Sequence, residues 1–264
     1  MWYINRGQIT VINKIYYILK VIYKSSNFAF SRRIKLILST IFETSFFLPF
    51  LTVEGIQIEK YEEVLPYIDN FLFGEILEPV HLSYLKSQNN PVIVDLGCNT
   101  GVLAEYYLKS ITNVTYSMFD MMEECIKNCR QRLLNYSNSV HYFNLALGDE
   151  NKNIEISFDN PINSANTILS HSSSNRRLVE MKRLDDIQEI AILKKIDLLK
   201  IDIEGYELPV LNGSLETIKK SEFSIIELHL QKHIDDYSEV VNIFANCGLH
   251  LYKVKSRNLF FKKS

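Results

Sequence analysis

The spacing of apolar residues changes near residue 91. Before it, most segments have apolar residues three and four positions apart, as amphipathic helices do. After it, short runs rich in valine, isoleucine and leucine alternate with such helical patterns, which is typical of buried parallel strands joined by helices. The predicted fold is therefore α/β, a doubly wound, mostly parallel sheet with a C-terminal β-hairpin and an N-terminal helical extension. We expect an extension at 1–90 and a domain at 91–264.

The individual elements follow from these periods. In the extension, the predicted elements are helices at 9–24, 32–47, 61–72 and 75–87 and a short hairpin at 51–59. In the domain, the predicted strands are 91–97, 114–119, 140–145, 178–184, 196–201 and 223–229, with a closing hairpin of 249–254 and 258–261. The predicted helices there are 102–109, 122–134, 208–219 and 236–246. An antiparallel insert is expected at 153–168, before a loop rich in serine and asparagine at 170–175.

Composition and charge narrow the class of protein. With 47% hydrophobic and 23% charged residues, the chain is expected to be a soluble globular protein. Residues 1–42 hold seven basic residues and no acidic one, so the rest of the chain carries −9 although the total is −2. Basic helices of this kind can cap the domain, pair with a second copy or lie on an anionic membrane surface. The uncharged apolar run 44–53 is shorter than the roughly 18 residues that a spanning helix needs.

The cysteines and the N-terminus indicate the compartment. Cys98, Cys125, Cys129 and Cys247 are too few and too scattered for a disulfide framework, and no histidine or cysteine partners stand at metal-ligand spacing. No secretory signal pattern is present. We expect reduced thiols and a cytoplasmic protein. Peripheral contact at the inner membrane surface and a homodimer through residues 1–50 are the open alternatives for the basic helices.

The chemistry is expected where strands end, because open parallel sheets bind ligands outside the carboxyl ends of their strands. The first strand ends in Asp95-Leu-Gly97-Cys-Asn99-Thr-Gly101. This spacing, with a preceding acid, differs from the G-x-G-x-x-G of nicotinamide-binding loops. A carboxylate repels phosphate but suits an ammonium group, so these residues favour S-adenosylmethionine over NAD or ATP.

Two later strand ends complete the predicted cofactor site. Asp120 ends the second strand, nineteen residues after Gly101, where an acid accepts hydrogen bonds from ribose hydroxyls. Leu145 and Ala146, at the end of the third strand, are expected on topology alone to flank an adenine ring.

Ionisable residues cluster at the ends of the last two parallel strands. Lys200, Asp202 and Glu204 lie in the sequence KIDIEGYE, where strand alternation places them on one side. Glu227 and His229 share one face of the next strand. We expect Asp202 or His229 to act as a general base, with Lys200 orienting a carboxylate or holding an acceptor oxygen. Each assignment has a structural alternative. Lys200 could form a buried ion pair that only positions the loop, and His229 could be a core or surface histidine whose hydrogen bonds are made within the protein.

Two further sets of residues are candidates for binding. Asn163, Ser164 and Asn166, in the insert, offer neutral hydrogen-bonding groups that suit sugar hydroxyls, with ordinary turn residues as the alternative. Three of the acids supply hard oxygen ligands suited to Mg²⁺. A Mg²⁺ site formed by Asp202, Glu204 and Glu227 is therefore an alternative, but we favour a protein without a metal cofactor.

Taken in order, the segments VDLGCNTG, MFD, ALGD, KIDIEGYE and IIELH resemble the FkbM family of S-adenosylmethionine-dependent methyltransferases. The resemblance covers about residues 91–230 and implies a Rossmann-like class I methyltransferase fold. It also implies that the cofactor's amino acid end is lined by Asp95, Gly97, Asn99 and Gly101.

At one position the chain departs from the pattern of that family. Asp120 stands where the family usually has glutamate in a Phe-Glu-Pro segment, and Met121 replaces the proline. The resemblance implies an O-methyltransferase that acts on hydroxyls of sugars, glycans or natural products, with a small-molecule or glycan acceptor. A nucleic-acid methyltransferase, which the acidic body disfavours, is one alternative. A non-catalytic scaffold or membrane-surface adaptor is the other.

Overall fold

The computed structural model describes residues 76–162, 175–229 and 234–264, and outside these ranges only 34, 37–38, 52–53, 56–58, 70–71, 166 and 168. The chain divides into two compact units, Met1–Leu77 and Glu78–Ser264. This boundary lies before the predicted one at residue 90, because the helix Pro79–Ser87 packs within the second unit. From this helix, Tyr84 donates a hydrogen bond of 2.8 Å to Asp197 in the sheet.

Within the first unit, the structure describes a short hairpin. Strands β1 (Thr52–Val53) and β2 (Ile56–Gln57) pair antiparallel, as the sequence predicts for 51–59. The helices predicted at 9–24, 32–47 and 61–72 lie almost entirely outside the described residues. A dimer or membrane role for 1–50, and the cytoplasmic location, therefore stay predictions. No helix in the described part of the chain is long and apolar enough to cross a bilayer.

The second unit alternates strands and helices. Its strands are β3 (Val92–Leu96), β4 (Thr115–Asp120), β5 (Val140–Asn144), β6 (Ala146–Leu147), β7 (Lys152–Phe158), β8 (Asn175–Lys182), β9 (Ile196–Ile201), β10 (Ser221–Glu227), β11 (Leu249–Lys255) and β12 (Asn258–Lys263). Its helices are α1 (Pro79–Ser87), α2 (Val102–Ser110), α3 (Glu123–Arg132), α4 (Gln188–Ala191), α5 (Glu207–Asn212), α6 (Leu215–Lys219) and α7 (Ile234–Asn246). Single 3₁₀ turns cover Leu134–Tyr136 and Leu184–Asp186.

Seven of these strands form one sheet, in the order β11-β12-β10-β9-β3-β4-β5. The pairs from β10 through β9, β3 and β4 to β5 are parallel, and β12 runs antiparallel to both of its neighbours. The sheet is thus mostly parallel with a C-terminal hairpin at one edge, which confirms the predicted fold class. The chain moves from β3 outward through β4 and β5 and then returns to the other side of β3 with β9. The crevice of this fold therefore lies at the carboxyl ends of β3 and β9.

The apolar runs become strands because both faces of the sheet are covered. All six residues of β9 are buried. The main core cluster joins strand residues such as Val94, Leu199 and Ile226 to residues of the flanking helices. One of these, Phe244 of α7, stacks on Phe261 with ring centroids 4.0 Å apart.

A second, three-stranded sheet with the order β6-β8-β7 forms the insert. Here the structure differs from the predictions of an antiparallel insert at 153–168 and a strand at 178–184. Strand β7 pairs antiparallel with β8, which begins at Asn175 within the predicted loop and ends at Lys182. Buried and exposed side chains alternate along β8, as in a strand with one covered face. Val179 and Met181 are buried against α3, whereas Leu178 is exposed.

The helix predicted at 208–219 is two helices, α5 and α6, separated at Gly213-Ser214. Gly213 passes so close to Gly148 that a Cβ built on it would lie 1.9 Å from the Gly148 carbonyl oxygen. The Asp185 carboxylate accepts hydrogen bonds from the N–H groups of Glu216 (2.9 Å) and Thr217 (2.8 Å). It thereby caps the N-terminus of α6, which begins as a separate helix.

We predict that Gly213→Ala destabilises the second unit by about 1–3 kcal/mol or more, because the added methyl group meets backbone that cannot rotate away. Gly248→Ala is the control. Gly248 has φ +85° but nothing within 4 Å of its Cβ position, so its substitution carries only the left-handed backbone penalty of about 1 kcal/mol. Unfolding in guanidinium chloride measures the free energy of unfolding of both variants. If Gly213→Ala is as stable as Gly248→Ala, or more stable, the packing argument is contradicted.

Candidate functional site

The loops that follow β3 and β9 meet at the crevice of the sheet. The N–H of Asp202 donates to the carbonyl of Leu96 at 2.9 Å. Gly97 has φ +84°, and a Cβ built on it would lie 1.8 Å from the carbonyl oxygen of Asp202. Glycine is therefore required here for its backbone conformation and for this close approach.

The glycine loop is wound tightly and tied to β4. Gly97, Asn99 and Gly101 all have left-handed φ values, of 84°, 50° and 78°. The N–H groups of Gly97 and Cys98 both donate to the carbonyl of Phe119, at 2.9 and 3.0 Å. The side-chain oxygen of Asn99 is buried and has no hydrogen-bond partner among the described residues. The loop thus contains a polar acceptor whose hydrogen-bonding capacity the described residues leave unused.

Asp120 stands at the end of β4, where the sequence predicts a ribose-binding acid. Its carboxylate accepts the N–H of Asn99 at 3.0 Å and the N–H of Met122 at 2.9 Å. Burial raises the pKa of Asp120 to about 6, although these two hydrogen bonds oppose the shift. The acid therefore also fastens the glycine loop.

Asp95, which the sequence predicts to meet the cofactor's ammonium group, is buried and paired within the protein. The residue is 0% exposed. Its carboxylate lies 3.0 Å from the ammonium nitrogen of Lys200 and accepts a 2.9 Å hydrogen bond from the hydroxyl of Tyr116. The positive charge that Asp95 balances is therefore the protein's own.

Lys200 joins the two loops of the crevice. Its Nζ donates to the carbonyl of Gly97 at 2.8 Å and lies 3.6 Å from the carboxylate of Asp202. Burial alone would lower the pKa of Lys200, but the charges of Asp95 and Asp202 raise it above its ordinary value. The lysine is a permanent cation here. Its contact with Asp95 is a buried ion pair, which is the structural role that the sequence analysis gave as the alternative to catalysis.

An acid–histidine cluster, defined as Asp202, Glu204, Glu207, Glu227 and His229, occupies the other side of the crevice. His229 Nδ1 lies 2.9 Å from Glu207 Oε1. His229 Nε2 lies 3.2 Å from a carboxylate oxygen of Glu204 and 3.3 Å from one of Glu227. The cluster thus surrounds one imidazole with carboxylates.

This environment fixes the protonation of His229. Burial alone would lower its pKa, but the contacts with the carboxylates of Glu207 and Glu227 and the charges of Glu204 and Asp202 raise the pKa to about 10. The ring is a cation at neutral pH, and a protonated ring cannot accept a proton from a hydroxyl. Of the two predicted bases, the structure therefore favours Asp202.

The backbone brings the cluster together in a way that strand alternation alone does not predict. Strand β9 ends at Ile201, so Asp202 and Glu204 lie in the loop beyond it. Glu204 and Gly205 have φ values of 54° and 103°, and this left-handed turn places Glu204 beside His229.

Sequence reasoning missed two residues of the site. Glu207, the last acid of KIDIEGYE, is 1% exposed and also accepts the N–H of Gly205 at 2.9 Å. The sequence feature that could have indicated it is a third acidic residue, placed where a helix begins after the buried strand. Arg257, in the turn between β11 and β12, contacts the carboxylate of Glu227 and carried no local signal.

The remaining predicted residues divide into three groups. Leu145 and Ala146 are buried where β5 passes into β6. Asn163 and Ser164 lie outside the described residues. The side-chain amide of Asn166 donates to the carbonyls of Asn160 (2.9 Å) and Pro161 (3.2 Å), so this asparagine closes a turn, as the structural alternative proposed.

Comparison with known proteins gives one family match. A family model described as the methyltransferase FkbM domain matches residues 74–251. The 2-O-methyltransferase NoeI of Sinorhizobium fredii (strain NBRC 101917 / NGR234) is 28% identical over 159 residues, which cover 54% of this chain and 65% of that protein. The chain therefore spans slightly less than two thirds of this relative.

Solved structures give weaker similarities. Methyltransferase FkbM from Methylobacillus flagellatus KT is 14% identical with a TM-score of 0.48, over 96% of this chain and 59% of that one. Magnesium protoporphyrin IX methyltransferase from Synechocystis PCC 6803 is 12% identical with a TM-score of 0.41, over 70% of this chain and 76% of that one.

The buried ion pair predicts a specific pattern of stability. Lys200→Met leaves the Asp95 carboxylate buried without its cation and should destabilise the protein by about 3–5 kcal/mol. The double variant Asp95→Asn/Lys200→Met should recover most of this loss, because no buried charge remains unpaired. Urea unfolding of both single variants and the double variant measures the coupling. Additive single effects would show that the two groups do not depend on each other.

Proposed function

Because the chain belongs to the FkbM methyltransferase domain family, we propose that it transfers a methyl group from S-adenosylmethionine to a hydroxyl of a sugar, glycan or natural product. The observation that carries the proposal is the meeting of two different surfaces at one crevice. The glycine loop and Asp120 offer hydrogen-bond acceptors on one side. The carboxylate of Asp202 stands on the other, after β9.

The residues of the first surface fit the donor. The buried side-chain oxygen of Asn99 suits the ammonium group of the donor's amino acid end. Each carboxylate oxygen has two acceptor sites, so Asp120 can accept ribose hydroxyls while it holds the N–H groups of Asn99 and Met122. Leu145 and Ala146 supply apolar surface suited to the adenine ring. When bound, S-adenosylmethionine supplies a methyl group already activated by the sulfonium.

The protein's part in such a transfer is alignment and proton removal. Asp202 is the better placed base, since its side chain is 24% exposed whereas that of His229 is 9% exposed. Both ring nitrogens of His229 face carboxylates, which leaves neither directed at an acceptor. We assign Asp202 to accept the proton of the acceptor hydroxyl, with Lys200 orienting the carboxylate.

Charge supports an uncharged acceptor. The acid–histidine cluster contains four carboxylates, and a phosphate-rich polymer would be repelled by them. A hydroxyl acceptor is also in keeping with the relative named a 2-O-methyltransferase. Asn163 and Ser164 stay our proposed contacts to the acceptor.

The direct test is radiolabel transfer from S-adenosylmethionine to a panel of oligosaccharides, lipid-linked glycans, glycosylated natural products and RNA, with the modified atom identified by mass spectrometry. We expect labelling of a hydroxyl on a glycan-containing acceptor. Asp202→Asn should lower kcat by about 10²–10⁴-fold, because general-base assistance is lost. Affinity for S-adenosylhomocysteine should be unchanged.

The control is Asp149→Asn, an exposed acid with the same change of charge. Full turnover in Asp202→Asn would remove this residue as the base. Labelling of RNA alone would overturn the acceptor class, and absence of binding to S-adenosylhomocysteine would overturn the proposal as a whole.

The pKa of Asp120 predicts how donor affinity depends on pH. Above about pH 6 the carboxylate is ionised and accepts hydrogen bonds; below it, protonation removes acceptor capacity. Affinity for S-adenosylhomocysteine should therefore fall as the pH drops through 6, by up to about tenfold per pH unit. Lys200 and Asp95 also face this carboxylate, and Lys200 keeps its charge over this range.

Calorimetry between pH 7.5 and 5 measures this dependence, at roughly half-unit steps around the pKa of about 6. Asp120→Asn should bind more weakly at neutral pH and show no slope. A wild-type affinity that does not vary across this range would show that Asp120 does not contact the ligand.

A further inference from the structure

The acid–histidine cluster contains more carboxylates than one base requires. Side-chain atoms of Asp202, Glu227 and His229 all lie within 4.8 Å of one another. We propose that these three residues bind a divalent first-row cation, with Mn²⁺ as its representative. This goes beyond the methyl transfer proposed above and differs from the expected ligand set, since His229 takes the place of Glu204.

The distances suit a cation after a small closure. Ligand atoms at about 2.1 Å from a divalent ion lie about 3 Å apart when adjacent and about 4 Å apart when opposite. The cluster therefore needs side-chain movements of about 1 Å. Asp202 lies in a loop and Glu227 is the last residue of its strand, so these movements fall at the end of the sheet and not within it.

The orientation of His229 is the second, independent observation. Its side chain is 9% exposed, and Nε2 points among the carboxylates without an aligned hydrogen bond to any described residue. On the other side of the ring, Nδ1 meets Glu207, which the N–H of Gly205 holds in place. Histidines that bind metals usually donate their second ring N–H to a carboxylate in this way, which directs the first nitrogen at the ion.

The donor set indicates the class of cation. Carboxylates favour Mg²⁺, Ca²⁺ and Mn²⁺, whereas imidazole favours Zn²⁺, Fe²⁺ and other transition metals. Two carboxylates with one imidazole nitrogen suit Mn²⁺, which accepts both ligand types. The ring of His229 carries a proton on both nitrogens at neutral pH, so the ion must displace the Nε2 proton, which passes to solvent, while Nδ1 keeps its proton.

Arg257 is the built-in competitor for this site. Its guanidinium contacts the Glu227 carboxylate, and its side chain is 43% exposed. It can therefore swing into solvent when a cation takes its place, and its removal should strengthen cation binding. If the proposed function holds, an acceptor hydroxyl bound to the ion would lose its proton more readily.

The test is a titration of the chelator-treated protein, as the whole chain, with MnCl₂. The concentration of free Mn²⁺ is measured at each step by electron paramagnetic resonance. We expect one bound ion per chain. Asp202→Asn and Glu227→Gln should each weaken binding by about tenfold or more, and Arg257→Gln should tighten it. Glu189→Gln, an exposed acid of α4, is the matched control and should not change the affinity. No bound Mn²⁺ in the wild type, or equal affinities in all variants, overturns the site.

Spin-echo spectra of the Mn²⁺ complex test the histidine directly. Coupling to an imidazole nitrogen is expected in the wild type and should be absent in His229→Gln, whose folding is checked by circular dichroism. A wild-type complex without nitrogen coupling overturns this ligand set. The wild type is also titrated with S-adenosylhomocysteine. If it binds S-adenosylhomocysteine but no Mn²⁺, the cation site is overturned; if it binds Mn²⁺ but no S-adenosylhomocysteine, the proposed function is overturned.

Discussion

The site is organised around the buried contact between Asp95 and Lys200. The two residues are register partners across the parallel strands β3 and β9, and both are almost inaccessible to water. Neither charge could be buried alone without a large loss of stability, so the contact fixes how the two strands end relative to each other. Lys200 also binds the Gly97 carbonyl, which extends the constraint to the glycine loop.

Two chemical environments follow from this constraint, one on each side of the crevice. On the β4 side, backbone N–H groups converge on Asp120, and Asn99 offers a buried acceptor. On the β10 side, carboxylates surround His229. One side thus suits a ligand with an ammonium group and sugar hydroxyls, and the other can manage protons or a cation. Proximity of the two is what a transfer between bound groups requires.

Much of this arrangement can be predicted from the sequence because its signals are local. Apolar runs bounded by turn residues locate β3, β4 and β9 to within one or two residues, and the KIDIEGYE segment marks the end of β9. The left-handed loop follows from glycines at fixed spacing. The strand ends therefore gave most of the candidate residues.

The pairings could not be predicted, because they depend on register and on contacts between distant segments. The position of Asp95 at the end of its strand predicts a ligand contact, but the register of β9 places Lys200 beside it. The sequence allows His229 to be a general base or a core or surface histidine; in the fold, Glu207 approaches it from a helix that follows a different strand. The break between α5 and α6 arises from the contact of Gly213 with Gly148, which no local pattern reveals.

The central claim, that the donor binds where the loops after β3 and β9 meet, is tested most directly by hydrogen–deuterium exchange with and without S-adenosylhomocysteine. The account predicts slower exchange in the glycine loop, in the residues around Asp120 and in the loop after β9, with little change in β7 and β8. Protection confined to other segments, or none at a saturating ligand concentration, would contradict it.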